Sequence, residues 1–489
     1  MEEKKPQTAQ DNYGLKIGKK TFISTLLLLF GIMLLAGVLT QIIPQGNYSY
    51  LSVEGRQVIQ PGTYQVLQNA QRLPVWRWFT APIEVLFTEK AVTAVMIMLF
   101  ILLIGGSFSI LEKSGILSYI MQSVIKKFGG QKYRLLAVVV FICMLLGSTM
   151  GLFEETITLV PITVALSLML GWDSLVGIGM SILAVGFGFA AGTLNPFTVG
   201  VTQKLADLPA FSGVLFRMVF FVVIYGLMLA FLLLYAKKIE KNPEKSMVYR
   251  QDEALRLHYR NVLENTEGDT GKKRKATLLF ARALFLVFVY IVAAFFVQAL
   301  SDYSMPVMAL LFTLGAFVAG RVAGLAKTAA TFFKGLASIA PSVLLILLAM
   351  AVTHIMSAGN IIDTILYFFY NRIQHLTPYG GAIVLFLLVL VLEFFISGSA
   401  AKAFLLVPII TPLSEMIGIT RQTAVQAFIL GDGFTNMLYP TSVVLLITLG
   451  IANVSYKTWF KWTWKLQVVL LALSAASLLV AVAIGYGPY

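Results

Sequence analysis

The sequence predicts an all-α polytopic membrane protein with two inverted-topology repeats, each containing a re-entrant hairpin and a broken transmembrane helix. Two observations give the class. The 489-residue chain is 58% hydrophobic and only 12% charged, about half the charged fraction of soluble domains. Ionisable residues and Gly/Pro breaks also interrupt long apolar runs, and similar interruptions occur in both halves of the chain.

Positive charge is concentrated beside the apolar runs. The net charge is +14, and the segment from Lys237 to Lys275 holds eleven Lys/Arg against seven acids. This placement is typical of cytoplasmic loops and argues against a nucleic-acid partner. The single cysteine, Cys143, excludes a disulfide framework or cysteine metal cluster, and three scattered histidines give little support to a metal site.

The chain begins with a polar tail at 1–20, which lacks a cleavable signal and is predicted to be cytoplasmic. Residues 21–111 contain two predicted spans. Between them, the segment 44–89 has Gly/Pro turn signals and a Tyr/Val-rich run, which predict a small extracytoplasmic β-element.

Residues 113–206 form the first of two similar units. Its amphipathic beginning is expected to lie in the membrane interface. The apolar hairpin 133–171 carries Glu154 and Glu155 near its middle, which a simple span would not accommodate, so we expect a re-entrant hairpin with a polar tip. Residues 174–206 follow as a helix that the motif GTLNPF interrupts.

A span at 212–236 leads to the basic cytoplasmic loop 237–277. Residues 279–356 then contain three further spans, the last of them at 336–356, which leads into the second unit. The spans at 212–236, 279–299 and 304–320 therefore separate the two units, because the span at 336–356 precedes the second unit as the span at about 90–111 precedes the first. Because three is an odd number, the second unit must be inverted in the membrane relative to the first.

The second unit occupies 359–453 and has the same parts: an interfacial helix, a hairpin at 380–418 and a broken helix at 422–453. Tryptophans and lysines then anchor a last span at 466–486.

The register relates the two units. Gly151 and Gly171 match Gly398 and Gly418 at one offset of 247 residues, and the run LVPI recurs between them at the same offset. With the N-terminus in the cytoplasm, the first hairpin enters from inside and the second from outside. The Lys/Arg counts of the loops agree with this orientation. We therefore predict a multi-pass protein of the cell (inner or plasma) membrane with an extracytoplasmic C-terminus.

Hairpin tips and helix breaks expose helix ends, whose amides attract anions and whose carbonyls attract cations. Four such elements meeting at mid-membrane would form a site for a small charged solute and a coupling ion. The candidate residues are the polar and ionisable ones of the two tips and two breaks. They are Ser148, Thr149, Glu154, Glu155, Thr156, Thr193, Asn195, Ser397, Ser399, Lys402, Asp432, Thr435, Asn436 and Thr441.

Glu154 and Glu155 give the sharpest signal. Adjacent helical residues point about 100° apart, so the two carboxylates should not share one role. One would face the site and bind an amine, a cation or a proton, while the other would accept hydrogen bonds from neighbouring amides or a serine. The alternative is that the pair only caps the returning helix.

Lys402 has two interpretations that remain open. It either neutralises a substrate carboxylate or pairs internally with Glu155 or Asp432, in the place of a bound cation. Asp432 is assigned to the site in preference to backbone hydrogen bonding in the break. For Glu393, in the apolar arm, snorkelling or pairing within the scaffold is as plausible as function. His354 fits a satisfied interior histidine better than a proton relay.

The motifs GLFEET, GTLNPFTVG, SGSAAKAFLLVPI, GDGFTNMLYPTS and WFKWTWK resemble the YfcC-type family, which is four-carbon-dicarboxylate anaerobic-carrier-like and lies in the ion transporter superfamily. The resemblance implies a scaffold of the spans in 21–111 and 279–356 and a mobile transport domain of the two units. It also implies an elevator mechanism and a homodimer. Relatives include presumed dicarboxylate carriers and arginine–ornithine exchangers.

The tips depart from sodium-coupled members of that superfamily, many of which carry a Ser-Asn-Thr triplet at each tip. Here the tips read GLFEET and SGSAAK. The lysine of the second tip makes sodium coupling there less expected than proton coupling or exchange. Beyond a coupling sodium ion or proton, no cofactor is expected.

The sequence as a whole predicts a secondary active transporter of a small charged organic solute, an amino acid or a carboxylate. The mixed charges of the site favour a zwitterionic substrate, with a four-carbon dicarboxylate as the alternative. An enzyme, such as an intramembrane protease, is disfavoured because the sequence has no HExxH, GxSxG or GxGD motif. A passive channel would need a continuous polar path, which the apolar flanks of both tips argue against.

Overall fold

The computed structural model describes residues 19–487 apart from 54–55, 61, 69–70, 89–90, 210, 265–269, 297–303, 374 and 397. Most of the predicted tail and the candidate Ser397 therefore lie outside the described residues. Within these residues, six helices are long and apolar enough to cross a membrane, or seven if one bent pair counts as a single span.

The chain begins with two long helices separated by a small β-element. The strands pair antiparallel, β1 with β4 and β2 with β3, so that Gly46 lies opposite Val66 and Tyr50 lies opposite Ile59. The elements are α1 (Lys19–Ile42), β1 (Gly46–Asn47), β2 (Tyr50–Val53), β3 (Arg56–Ile59), β4 (Gln65–Val66), α2 (Trp76–Glu84) and α3 (Ala91–Lys113).

The first unit folds as a hairpin followed by an interrupted helix. Its helices are α4 (Ile116–Phe128), α5 (Lys132–Met150), α6 (Val160–Met169), α7 (Ser174–Ile178), α8 (Ala184–Ala191) and α9 (Val201–Leu205). A π-helical turn joins α7 to α8, so that Ser174–Ala191 runs as one apolar stretch in which every residue is buried. This stretch therefore has no side exposed to lipid or water.

A connecting region links the two units. Its helices are α10 (Val214–Lys241), α11 (Tyr249–Glu264), α12 (Thr270–Phe296), α13 (Ser304–Val322), α14 (Thr328–Ile339) and α15 (Pro341–Ala358). The structure differs from the single span predicted at 336–356: α14 and α15 are bent by 42°. Pro341 explains the bend, because proline lacks an amide hydrogen and fits the first position of a new helix. α14 packs along α3.

The second unit repeats the order of the first. Its helices are α16 (Ile362–Ile373), α17 (Pro378–Glu393), α18 (Ser399–Met416), α19 (Arg421–Gly433) and α20 (Val443–Ile451), and α21 (Tyr456–Ala483) follows. Thr420 caps α19 by accepting a hydrogen bond from the amide of Thr423, as Asp173 caps α7 from the amide of Val176.

The two units interlock. The 3-10 turn Glu154–Leu159 of the first contacts α20 of the second, while α18 of the second contacts α9 of the first. The two interrupted helices touch where Gly433 meets Ala190. A Cβ on Gly433 would lie 2.2 Å from the Ala190 Cα, so only glycine permits this approach. Each hairpin therefore packs against the broken helix of the other unit.

A polar cluster fastens α11 to the start of α7. Asp173 accepts hydrogen bonds from the Tyr235 and Ser246 hydroxyls, both at 2.7 Å, and Asp252 accepts one from the Ser174 amide at 2.7 Å. Burial, with a smaller contribution from Asp173, raises the pKa of Asp252 to about 7. The basic segment after α10 is thus bound to the first unit through buried carboxylates.

Candidate functional site

The first hairpin tip is held by its own polar groups. α5 ends at Met150, and Gly151 caps it with a φ of 70° that turns the chain. The Phe153 amide then donates to Glu155 Oε2 at 3.2 Å, and Thr156 Oγ1 donates to the Phe153 carbonyl at 2.7 Å. Glu154, the first residue of the following 3-10 turn, is half-buried. Glu155 therefore stabilises the tip through one oxygen.

Glu155 also lines a cavity of about 180 Å³ between the tip and the helices α3, α5, α12 and α13. The cavity wall is otherwise apolar apart from two threonines. Among the described residues that line it, Glu155 is the one that can be charged. The remaining lining residues are Phe100, Leu146, Leu152, Thr156, Thr158, Leu159, Leu284, Val287, Phe288, Met308 and Phe312. Such a cavity suits a solute with one positively charged group and an apolar part.

The break of the first unit lies against the end of α5. Ser148 Oγ and Thr193 Oγ1 are 2.9 Å apart, and the Thr193 amide donates to Ser148 Oγ at 3.0 Å. Asn195 Oδ1 accepts from the amide of Phe197 at 2.9 Å and so begins the second half of the helix. Its Nδ2 is buried and has no hydrogen-bond partner within the described residues. Thr149 is not part of this cluster, because its hydroxyl donates to the Leu145 carbonyl.

A buried arginine that the sequence did not single out supports this break. Arg217 of α10 donates through Nε and Nη2 to the Thr193 carbonyl, both at 3.4 Å, and through Nη1 to the Tyr486 hydroxyl at 3.2 Å. The side chain is buried. Its positive charge lies just beyond the C-terminus of α8, where the helix dipole favours a cation.

The second tip carries an ion-paired cluster. Lys402 Nζ lies 2.5 Å from Asp432 Oδ1 and also contacts Glu393 Oε2, while Ser399 Oγ donates to Asp432 Oδ2. The three ionisable side chains are at most 4% exposed. Of the pairings predicted for Lys402, the one with Asp432 is present, and Glu393 takes the place expected of Glu155.

The break of the second unit contributes less to this cluster. Asn436 Nδ2 donates to the Asp432 carbonyl at 2.9 Å, and Thr435 Oγ1 donates back to the Gly431 carbonyl at 3.4 Å. Thr441 and Asn436 line a cavity of about 20 Å³ that also touches Glu393. The polar side chains at this break thus either form hydrogen bonds within their own helix or line the small cavity.

Aromatic donors from outside the second unit satisfy the carbonyls of its break. Trp459 Nε1 donates to the Met437 carbonyl at 2.8 Å, and the Tyr456 hydroxyl donates to the Leu438 carbonyl at 2.7 Å. Both residues lie on α21, in and beside the motif WFKWTWK. α21 therefore stabilises non-helical backbone that hydrocarbon would leave unsatisfied.

The structure sorts the predicted site residues into three groups. Those around the first tip and break are Ser148, Glu154, Glu155, Thr156, Thr193 and Asn195. Those around the second are Ser399, Lys402, Asp432, Asn436 and Thr441. Thr149 and Thr435 hydrogen-bond within their own helices. Glu393 and Arg217 join the clusters without having been among the predicted residues.

Comparison with known sequences gives one family and two similar proteins. The family model DcuC, C4-dicarboxylate anaerobic carrier, matches residues 22–483. The chain is 28% identical over 491 residues to "Putative basic amino acid antiporter YfcC" of Escherichia coli (strain K12), spanning 94% of this chain and 96% of that protein. It is 28% identical over 509 residues to an uncharacterized protein of Haemophilus influenzae, spanning 95% and 98% of the two.

Two solved structures are partly similar. The Alcanivorax borkumensis YdaH transporter matches with a TM-score of 0.42 and 17% identity, covering 95% of this chain and all of that one (100%). Neisseria gonorrhoeae MtrF, described with a class of antimetabolite efflux pumps, matches with a TM-score of 0.39 and 18% identity, covering 95% and 97%. These scores are too low to support a statement about this chain.

Proposed function

Because the chain belongs to the C4-dicarboxylate anaerobic carrier family, we propose that it is a secondary active transporter of a small charged organic solute. The family predicted from the motifs is thereby confirmed. The family match and the apolar helices make the chain a multi-pass membrane transporter. The match also favours a transporter over an enzyme.

The solute that we propose is an amino acid or a similar molecule with a positively charged amine. The observation that carries this choice is the position of Glu155 in the wall of the 180 Å³ cavity. Lys402, the residue that could have neutralised a substrate carboxylate, is already paired with Asp432 and Glu393. The E. coli relative described as a putative basic amino acid antiporter supports the same substrate class.

A four-carbon dicarboxylate is the second candidate. The family description and the unpartnered Asn195 Nδ2, a buried donor that could bind a carboxylate, favour it. Against it stands Glu155, because a carboxylate in the cavity wall would repel an anion.

We propose that the two units, 113–206 and 359–453, are inverted repeats that move together against a scaffold of the remaining helices. The contacts of each hairpin with the other unit's broken helix support movement as one body. The cavity between the first tip and α3, α12 and α13 would then lie at the sliding surface. An elevator of this kind, with a cytoplasmic N-terminus and assembly as a homodimer, agrees with the basic segment 237–277 and the resemblance to the family.

Solute counterflow tests the proposal. The full chain, reconstituted into liposomes loaded with one unlabelled solute, is given the same solute in labelled form outside. The solutes are a basic amino acid, a neutral amino acid and a four-carbon dicarboxylate. We expect saturable accumulation of at least one amino acid above empty liposomes and none of the dicarboxylate.

Accumulation of the dicarboxylate alone would select the second candidate. If none of the solutes is exchanged, and none is taken up under sodium, proton or counter-solute gradients, the transporter proposal is wrong for these substrate classes. Flux that rises linearly with concentration and shows unitary currents would indicate a channel instead. A substrate that binds only the folded protein must also raise its melting temperature.

A further inference from the structure

The cluster of Glu393, Lys402 and Asp432 has an imbalance of charge. Two carboxylates surround one ammonium group, and all three side chains are buried. With every group ionised the cluster would carry one negative charge. A buried charge without a partner costs several kcal/mol, which a bound proton would avoid. The cluster is therefore most stable when one of its two carboxylates is protonated and the lysine keeps its charge.

The contacts indicate which carboxylate takes that proton. Asp432 is stabilised as an anion by Lys402 at one oxygen and by the Ser399 hydroxyl at the other. Glu393 contacts Lys402 through Oε2, and no hydroxyl or amide donor to it is described. Protonating Glu393 therefore disturbs fewer interactions than protonating Asp432.

Glu393 also borders a small cavity that can hold water. It lines the 20 Å³ cavity together with Asn436, Tyr439, Thr441 and Ser442. A cavity of about this size holds one water molecule when polar groups line it. A proton arriving as hydronium in that cavity can convert the Glu393 carboxylate to the acid and leave a neutral water behind. The reverse step returns the proton.

Several titratable groups on the surrounding elements have partners of their own. The Tyr439 hydroxyl donates to the Leu390 carbonyl, and the Tyr456 hydroxyl donates to the Leu438 carbonyl. His354 of α15 pairs with Glu84 at 3.0 Å. Elsewhere on the packed helices, Asp363 of α16 accepts hydrogen bonds from Tyr48 and Tyr50, and Glu415 and Arg421 pair at 2.6 Å. Glu393 is thus the group whose charge the cluster leaves uncompensated.

We propose that Glu393 is the binding site of a coupling proton, with Lys402 and Asp432 as the fixed charges that set its affinity. The proposal rests on the transport function proposed above. Ser442 connects this site to the substrate cavity, because it lines the small cavity and caps α20, which contacts the Glu154–Leu159 turn.

The test compares Glu393→Gln with the wild type in liposomes that contain a pH-sensitive dye. Glutamine mimics the protonated acid, so the variant should fold and still exchange solute in counterflow. In the wild type, adding the transported solute should change the internal pH. In E393Q that change should fall to the level of empty liposomes, and an imposed pH gradient should no longer drive uptake.

Glu415→Gln is the matched control, because Glu415 lies on the same helix as Lys402 but is about half exposed and pairs with Arg421. This variant should keep the wild-type proton flux. An E393Q protein with wild-type proton flux would overturn the proposal. So would a wild type that exchanges solute without any proton flux, or that is driven by sodium alone. Loss of counterflow in the wild type would instead count against the proposed function.

A measurement on the wild type covers the case in which E393Q does not fold. A hydrophobic carbodiimide modifies protonated carboxyl groups in apolar surroundings. We expect mass spectrometry to find the modification on Glu393, with less of it as the pH is raised. Absence of the label from Glu393 at low pH, while the protein remains folded, would contradict the assignment.

Discussion

The two hairpin tips occupy corresponding positions in the sequence and carry side chains of opposite charge. At the offset of 247 residues that aligns the two units, Glu155 corresponds to Lys402, and Leu146 corresponds to Glu393. The Glu155 carboxylate is half-buried and faces a cavity of 180 Å³, whereas Lys402 is fully buried between two carboxylates beside a cavity of only 20 Å³. The first tip thus presents the charge of Glu155 to any molecule that enters its cavity. The second tip neutralises the charge of Lys402 by ion pairs within the protein.

This difference assigns two separate roles, solute binding and stabilisation of the fold, to charges that the sequence analysis had placed in one site. A charge that faces a cavity can contribute to solute binding, and its removal should affect transport more than stability. A charge buried in an ion pair contributes to the fold, and its removal should affect stability first. Variants at the two tips test this distinction.

Lys402→Met should have the largest effect. It leaves Glu393 and Asp432 buried without their cation, which is expected to cost about 3–5 kcal/mol of folding free energy. We expect a clear fall in melting temperature and little folded protein. The double variant Lys402→Met with Asp432→Asn should recover part of the loss. Equal melting temperatures for K402M and wild type would mean that Lys402 is not the buried centre of the cluster.

Glu155→Gln should lower transport while leaving the fold intact. Loss of one charge-assisted hydrogen bond to the solute corresponds to about 1.5–3 kcal/mol, or roughly a 10- to 100-fold fall in the transport rate at low solute concentration. Glu154→Gln is the matched control, because it removes the adjacent carboxylate and leaves the charge in the cavity unchanged. If the two variants lose transport equally, the distinct role of Glu155 is wrong.

Gly433→Ala tests the contact that joins the two units. The new methyl group would lie 2.2 Å from the Ala190 Cα, so the two broken helices would have to separate. We expect a loss of about 1–3 kcal/mol in stability and a larger loss of transport. Gly226→Ala is a suitable control, because a Cβ there has no heavy atom within 4 Å. Thermal unfolding of both variants measures the difference.

The smallest effect, for a change of one pH unit, concerns the N-terminal ends of α7 and α19. Carboxylates stabilise the first of these ends, and a threonine hydroxyl stabilises the second. Asp252 has a pKa of about 7 when folded and 3.8 otherwise, so ionisation destabilises the folded form as pH rises between those values. The melting temperature should therefore fall between about pH 4 and about pH 7 and level off above pH 7, as the free energy of unfolding decreases by up to about 1.4 kcal/mol per pH unit. In Asp252→Asn the fall should be smaller, whereas Thr420→Ser should keep it.

Much of this arrangement could be predicted from the sequence because charge in hydrocarbon is costly. That cost singled out Glu155, Lys402 and Asp432 within apolar runs, and the structure places all three at the tips or beside them. The polar Thr149 and Thr435 were less predictable, because a threonine on a helix can donate to a carbonyl one turn earlier. Residue type alone does not distinguish that case from a ligand.

The pairing of Lys402 with Asp432 was among those predicted, but the contacts of Glu393 and Arg217 could not be predicted. Glu393 and Lys402 are nine positions apart across a tip, and their contact depends on how α17 and α18 rotate against each other. Arg217 stands close to the beginning of its span, where a cation usually marks the membrane interface. Its burial against the Thr193 carbonyl results from packing between distant helices.

The completely buried stretch Ser174–Ala191 has a consequence for biogenesis. The surface of Ala190 that receives Gly433 stays uncovered until the ribosome has added 243 more residues. At about 5–20 residues per second, that interval is roughly 10–50 s. During it the nascent first unit, with its interrupted helix, must be shielded by earlier helices, by lipid or by an insertase. Slowing translation between the two units should therefore increase degradation of the protein in the cell.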